Sequence, residues 1–247
     1  AKPWCKYAHV VEDARRIPFY VEQAVRTSFY GRPGAVYLDM SDDIILQKVE
    51  EGQALPAATI PDAPRPQAMQ DGVEAALAAL ESAERPLVIV GKGMAWSHAE
   101  NEVREFIERT QLPFLASPMG KGVVPDDHPL SVGAARTTAL QDADLVFLMG
   151  ARLNWIMHFG LPPRFDKDVR VIQLDNAAEE IHANVPAEVA LVGDGKAVVG
   201  QLNKALEDRQ WFYPAETDWR NLLAEKASAN AEAVKPMIDD ESAPTNY

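Results

Sequence analysis

Apolar positions first recur at helical spacing over residues 17–30, where Ile17, Val21, Ala24, Val25 and Ser28 share one face. Gly31-Arg32-Pro33-Gly34 stops that helix, and Ala35 to Met40 then reads as a strand. One helix and one strand bury too little surface for a core of their own. Residues 1–53 therefore read as the end of a domain whose front lies elsewhere. Pro56, Pro61, Pro64 and Pro66 follow, a density that excludes helix and central strand, so residues 54–66 read as a linker.

Beyond residue 66 helical and strand patterns alternate. Val73, Ala76, Leu77 and Leu80 predict a helix face, and Leu87-Val88-Ile89-Val90 a strand. Ser97-His98-Ala99-Glu100 has the spacing of a capping box before a helix with Val103, Phe106 and Ile107 inward. Phe114 to Ala116, Leu145 to Met149, Val169 to Leu174 and Val189 to Val192 predict four more strands. A closing helix places Val198, Leu202, Ala205 and Leu206 on one side, with Asp194 as its N-cap. Largely apolar strands alternating with helices imply a parallel sheet covered on both faces, with right-handed crossovers. Residues 67–207 thus read as one doubly wound α/β domain with a Rossmann-like sheet. Residues 208–247 are polar, with Trp211, Phe212, Tyr213 and Trp219 as anchors, and read as a connector toward a further domain through Ile238-Asp239-Asp240-Glu241 and Pro244.

Composition narrows the function. The chain has 247 residues, is 47% hydrophobic and carries a net charge of −13. That charge repels phosphate at long range, which argues against nucleic acid and acidic membranes while leaving room for a local cationic pocket. Apolar runs such as Leu145 to Met149 fall far short of the roughly 20 residues a membrane helix needs. The chain starts without Met, which reads as a fragment boundary. Cys5 is the only cysteine, so no internal disulfide can form, which fits a reducing, cytoplasmic setting.

In open α/β sheets ligands bind outside the carboxyl ends of the strands. The chain places Gly91-Lys92-Gly93 there after its first strand, Gly150-Ala151-Arg152 after the third, Asp175-Asn176 after the fourth, and Gly193-Asp194-Gly195 after the last. Glycine lets a ligand approach the backbone, Lys and Arg attract phosphate, and a carboxylate at a strand end accepts from ribose hydroxyls. The convergence predicts a nucleotide pocket. Gly91 to Trp96 lacks the third glycine of the dinucleotide fingerprint, which argues against nicotinamide hydride chemistry. Gly193-Asp194-Gly195 resembles the start of a thiamin-diphosphate metal motif but lacks the downstream asparagine pair, so it reads as a strand-to-helix turn. The five histidines show no metal spacing, and no Gly-x-Ser-x-Gly elbow occurs. The pairs Asp42-Asp43, Asp126-Asp127 and Glu179-Glu180 read as solvated, and no catalytic residue is expected in this chain.

The segments Pro118 to Pro129, Val132 to Arg136, Gly150 to Phe165, Val88 to Ala95 and Tyr30 to Asp39 are similar to the 2-hydroxyacyl-CoA lyase and oxalyl-CoA decarboxylase family of thiamin-diphosphate-dependent enzymes. The tail of the 150–165 run, His158-Phe159-Gly160-Leu161-Pro162-Pro163, resembles the lyase branch. One departure stands at Met40-Ser41-Asp42-Asp43, where the family usually shows Ile-Pro-x-Asp.

The resemblance implies a three-domain enzyme. This chain would hold the end of the pyrimidine-binding domain, the whole middle domain, and the lead toward the pyrophosphate-binding domain. Thiamin diphosphate and Mg²⁺ would be bound by the missing parts. The reaction would cleave a 2-hydroxyacyl-CoA into formyl-CoA and an aldehyde. The alternatives are an oxalyl-CoA decarboxylase or acetohydroxyacid synthase relative, or a purely structural domain. ADP would sit in the middle domain, on Arg32, Lys92, Arg152, Asp175 and Asp194, with Gly91, Gly93 and Asn176 beside them and Arg136 near the CoA path. A homodimer or homotetramer is expected, and a peroxisomal setting if the source is eukaryotic.

Overall fold

A computed structural model describes residues 1–54, 56 and 58–238. Asp239 to Glu241 and Pro244, part of the expected connector, lie outside the described residues. The chain divides into two compact units that meet in sequence between Pro64 and Arg65.

The first unit is a β-α-β turn. Strand β1 (Tyr7–Val10) pairs in parallel with β2 (Val36–Asp39), joined through helix α1 (Ile17–Phe29). The sequence pattern had shown α1 and β2 but not β1. Tyr7-Ala8-His9-Val10 is too short and too mixed to announce a strand, and only pairing with β2 makes it one. A short helix α2 (Asp42–Ile45) follows. The core is small: Val11, Ala14, Tyr20 and Ile44 are buried together, while Val10, Phe29 and Leu46 remain largely exposed. The described residues from 56 to 69 contain no helix or strand, as their prolines require.

The second unit carries a five-stranded sheet in the order β4-β3-β5-β6-β7, every neighbouring pair parallel. The strands are β3 (Pro86–Val90), β4 (Phe114–Ala116), β5 (Leu145–Met149), β6 (Arg170–Asp175) and β7 (Val189–Val192). Every residue of β3 and β5 is buried, so both faces of the sheet centre are covered, as parallel pairing demands. Helices α3 (Gln70–Ser82), α5 (Glu100–Thr110) and α7 (Gly195–Arg209) pack beside one another, α7 against both others. Their predicted inward residues Val73, Leu77, Leu80, Val103, Phe106, Ile107, Val198 and Leu202 are all fully buried. On another flank α6 (Arg136–Asp142) packs against α8 (Asp218–Ile238).

Two local expectations change. The capping box does not form. Ser97 instead ends α4 (Lys92–Trp96), its hydroxyl donating to Gly93 O at 2.9 Å and Met94 O at 3.2 Å. His98 then turns left-handed (φ 52°), and α5 starts from Ala99 with no side-chain cap. Two carbonyls of α4, which also accept from Ser97 N and Ala99 N, thus engage the hydroxyl that a capping box would have used. The connector expected from residue 208 also contains a 21-residue helix, α8. Its first turns bury Trp219 and Leu223 in the main core, and the Trp219 indole donates to Pro86 O at 3.0 Å. Among the described residues no helix is long and apolar enough to cross a membrane.

Candidate functional site

The strand order locates the site. The chain runs from β3 outward to β4, then returns to the other side of β3 to lay down β5, β6 and β7. The direction reverses between β3 and β5, and a crevice at such a switch point is where doubly wound sheets bind ligands. On the β4 side the next loop leans over β3, with Ser117 N donating to Val90 O at 2.8 Å. Across the remaining strands the ends are tied in sequence. Gly91 N donates to Met149 O at 2.8 Å, Gly150 N to Leu174 O at 2.9 Å, and Gly193 N to Asp175 O at 3.0 Å. The structure thus brings the loops carrying Lys92, Arg152, Asp175, Asn176 and Asp194 side by side along one end of the sheet.

The glycines play a different part from the one their sequence pattern implied. Gly91 and Gly93 do not hold their amides open for a phosphate, since Gly91 N is bonded to Met149 O and Gly93 N to Gly150 O at 3.0 Å. A Cβ built on Gly91 would lie 2.2 Å from Gly150 O, and one on Gly93 2.8 Å from Gly150 Cα. These glycines let two loops touch, and so form a packed floor to the crevice. The start of α7 is engaged as well. The Asp194 carboxylate accepts from Ala197 N–H at 3.1 Å, which is the predicted N-cap, and from Arg65 Nη1 at 2.9 Å. Both bonds fall on Oδ1.

Cationic side chains therefore carry the anion-binding potential of this end. Lys92 is exposed, with Nζ 5.3 Å from the Trp96 ring centre. Arg152 is exposed and reaches Glu180 at 3.4 Å. Glu180 had read as solvated, yet its side chain is only 19% exposed. The reason is Gln173, a buried amide on β6 that donates to Glu180 O at 2.8 Å and accepts from His182 N at 3.2 Å. A buried glutamine must satisfy both ends of its amide, and here doing so folds the 176–182 loop back toward Arg152. Asp175 sits half-buried at the end of β6, one oxygen accepting from Ala177 N at 2.9 Å, and Asn176 beside it is exposed.

Arg136, expected near the CoA path, starts α6 and donates to Ile156 O at 3.1 Å. It braces the loop after β5, in which His158 and Phe159 both hold left-handed backbone (φ 50° and 56°). Trp155 and Phe159 of that loop are exposed. Arg32 belongs to the first unit, in a loop held by Lys6, whose Nζ donates to Tyr30 O at 2.6 Å and Arg32 O at 2.8 Å. Burial lowers the pKa of that Lys6.

A second hollow lies at the opposite end of the sheet. It is a cleft of about 760 Å³ before β3, lined in part by Arg85, Trp211, Phe212 and Tyr213. Burial raises the Tyr213 pKa, and its hydroxyl donates to Glu84 O at 2.6 Å. No site residue expected from the sequence reaches this cleft, although Arg85 and Glu84 pair in its wall at 3.8 Å. Sequence reasoning missed Arg65, Gln173 and Glu180. Only the buried position of a glutamine inside an otherwise apolar strand, Val171 to Leu174, offered a signal.

Comparison with known proteins gives this geometry a context. The family described as thiamine pyrophosphate enzyme, central domain, matches residues 73–202. The chain is 44% identical over 244 residues to human 2-hydroxyacyl-CoA lyase 1, an alignment covering 99% of this chain and 42% of the relative. It is 38% identical over 250 residues to oxalyl-CoA decarboxylase of Escherichia coli, covering 100% and 44%. A solved chain from Mycobacterium smegmatis shares the fold with a TM-score of 0.66 at 24% identity, covering 82% of this chain and 40% of that one. The chain spans less than half the length of the curated relatives it matches. The match over residues 73–202, which takes in the entire parallel sheet and its crevice, shows that the chain belongs to the thiamine pyrophosphate enzymes through their central domain.

Proposed function

We propose that this chain is the nucleotide-binding portion of a 2-hydroxyacyl-CoA lyase, which cleaves a 2-hydroxyacyl-CoA into formyl-CoA and an aldehyde. The name and similarity of the human relative support the reaction. The lyase-like run His158 to Pro163 favours that branch over oxalyl-CoA decarboxylase, and assaying a full-length version on both substrate classes separates the two. A homodimer or homotetramer is the assembly expected from the resemblance.

Thiamin diphosphate supplies the electron sink for such carbon–carbon cleavage. The residues present do not fit that group or its Mg²⁺. Asp194, in the one Gly-Asp-Gly sequence, is engaged by Arg65 and its own helix, and no group of three or more candidate metal ligands occurs among the described residues. No step of the reaction is therefore assigned to residues of this chain.

The role of this portion is to bind ADP or a related nucleotide across the loops after β3, β5 and β6. One observation carries the reading: the backbone ties at the strand ends bring Lys92, Arg152 and Asp175 onto one end of the sheet at its switch point. Lys92 and Arg152 hold the phosphates as side-chain cations, and Asp175 accepts from ribose hydroxyls. Arg136 serves the CoA path. Calorimetric titration with ADP tests this. Wild-type protein binds saturably, and Arg152→Ala weakens binding by about 1.5–3 kcal/mol, the scale of a charged hydrogen bond. No heat from a folded sample sinks the nucleotide role and leaves a domain that only supports packing.

A further inference from the structure

Helix α4 has only five residues, too few to hold itself together without tertiary contacts. It begins at Lys92, on the floor made with Gly150, and ends at the turn that opens α7. There Met94 and Ser97 press on Gly195, where an added Cβ would lie 2.4 Å from Met94 Cε and 2.5 Å from Ser97 Oγ. Something has to keep that far end seated, and the described contacts name it. Arg65 Nη1 donates to Ser97 O at 2.7 Å and to Asp194 Oδ1 at 2.9 Å. The Asp194 side chain is only 17% exposed, so the bond is charge-assisted and partly shielded from water.

The residues after Arg65 continue along α7. Asp194 N donates to Pro66 O at 2.8 Å. Gln201 closes a two-way amide pair with Ala68, accepting from its N at 3.0 Å and donating to its O at 3.1 Å. Residues 65–68 thus form a strap over the start of α7, and the guanidinium is the one group of that strap that also grips α4.

We infer that Arg65 is a positioning residue for nucleotide binding, holding Lys92 in place by clamping the far end of α4 to Asp194. The inference rests on the nucleotide reading above and adds a residue that acts through the placement of Lys92. The test compares the 247-residue chain with Arg65→Ala and Arg65→Lys by ADP titration and by amide hydrogen exchange. Arg65→Ala weakens ADP on the order of fivefold, and amides of residues 93–99 and 194–198 exchange faster. Arg65→Lys, which keeps the charge and can reach one of the two acceptors, recovers most of the affinity. Unchanged ADP affinity in Arg65→Ala overturns the inference, as does a loss of affinity with no change in exchange at those two segments. A loss that Arg65→Lys fails to recover also overturns it. If wild-type protein takes up no ADP, the nucleotide reading fails and positioning for it fails too. Exchange then still decides whether Arg65 clamps α4: faster exchange in both segments upholds the clamp, and unchanged exchange removes it.

Discussion

Single residues at the strand ends divide into those that build the crevice and those that can act in it. Gly91, Gly93 and Gly150 build it, because their backbones meet at distances that no side chain permits. Gly91→Ala puts a methyl group 2.2 Å from a backbone oxygen, which cannot swing aside as a side chain would. The expected cost is about 1–3 kcal/mol, the usual range for overpacking, read as a lower denaturant midpoint. A midpoint equal to wild type means the two loops part easily and the floor is not tight. Lys92 and Arg152 are the exposed cations, and their types and positions after strands were legible in the sequence. What the sequence hid was the partner of each: Trp96 for Lys92, and for Arg152 a Glu180 drawn in by a buried glutamine.

Among the elements, those with regular apolar spacing were legible because burial selects one face of a helix or both faces of an inner strand. Helices α3, α5 and α7 and strands β3 and β5 follow that rule. Helix α8 escaped it. Over its length only Trp219 and Leu223 are buried, so the periodicity that would reveal it is too sparse to stand out. Its anchoring is nonetheless strong. Trp219 is 3% exposed and bonded to Pro86 at the start of β3. Trp219→Ala loses that bond and opens a large cavity, with an expected loss of about 3–5 kcal/mol in urea unfolding. A loss below about 1 kcal/mol means α8 is an appendage rather than part of the fold.

At the scale of the whole molecule the two units differ in how much they bury. The second has a continuous core running through five strands and the helices that cover them, while the first gathers a cluster of four buried residues around two paired strands. Parallel strands need cover on both faces, and a two-stranded sheet is marginal in water. Amides of β1 and β2 are therefore expected to exchange faster than those of β3 and β5 by a factor of roughly 100 or more, since local opening free energy follows buried apolar contact. Equal protection in both units means the first finds stability beyond its own core. The alternation of apolar runs determined the α/β class, the parallel sheet and the strand ends where Lys92, Arg152 and Asp175 stand, because period and burial are written locally along the chain. Tertiary structure alone decided the strand order, the contact of Gly91 with Gly150, the clamp of Arg65 on Asp194 and Ser97, and the return of α8 to β3. Those pair residues up to 133 positions apart, and no local pattern encodes which distant partner a glycine, an arginine or a tryptophan will meet.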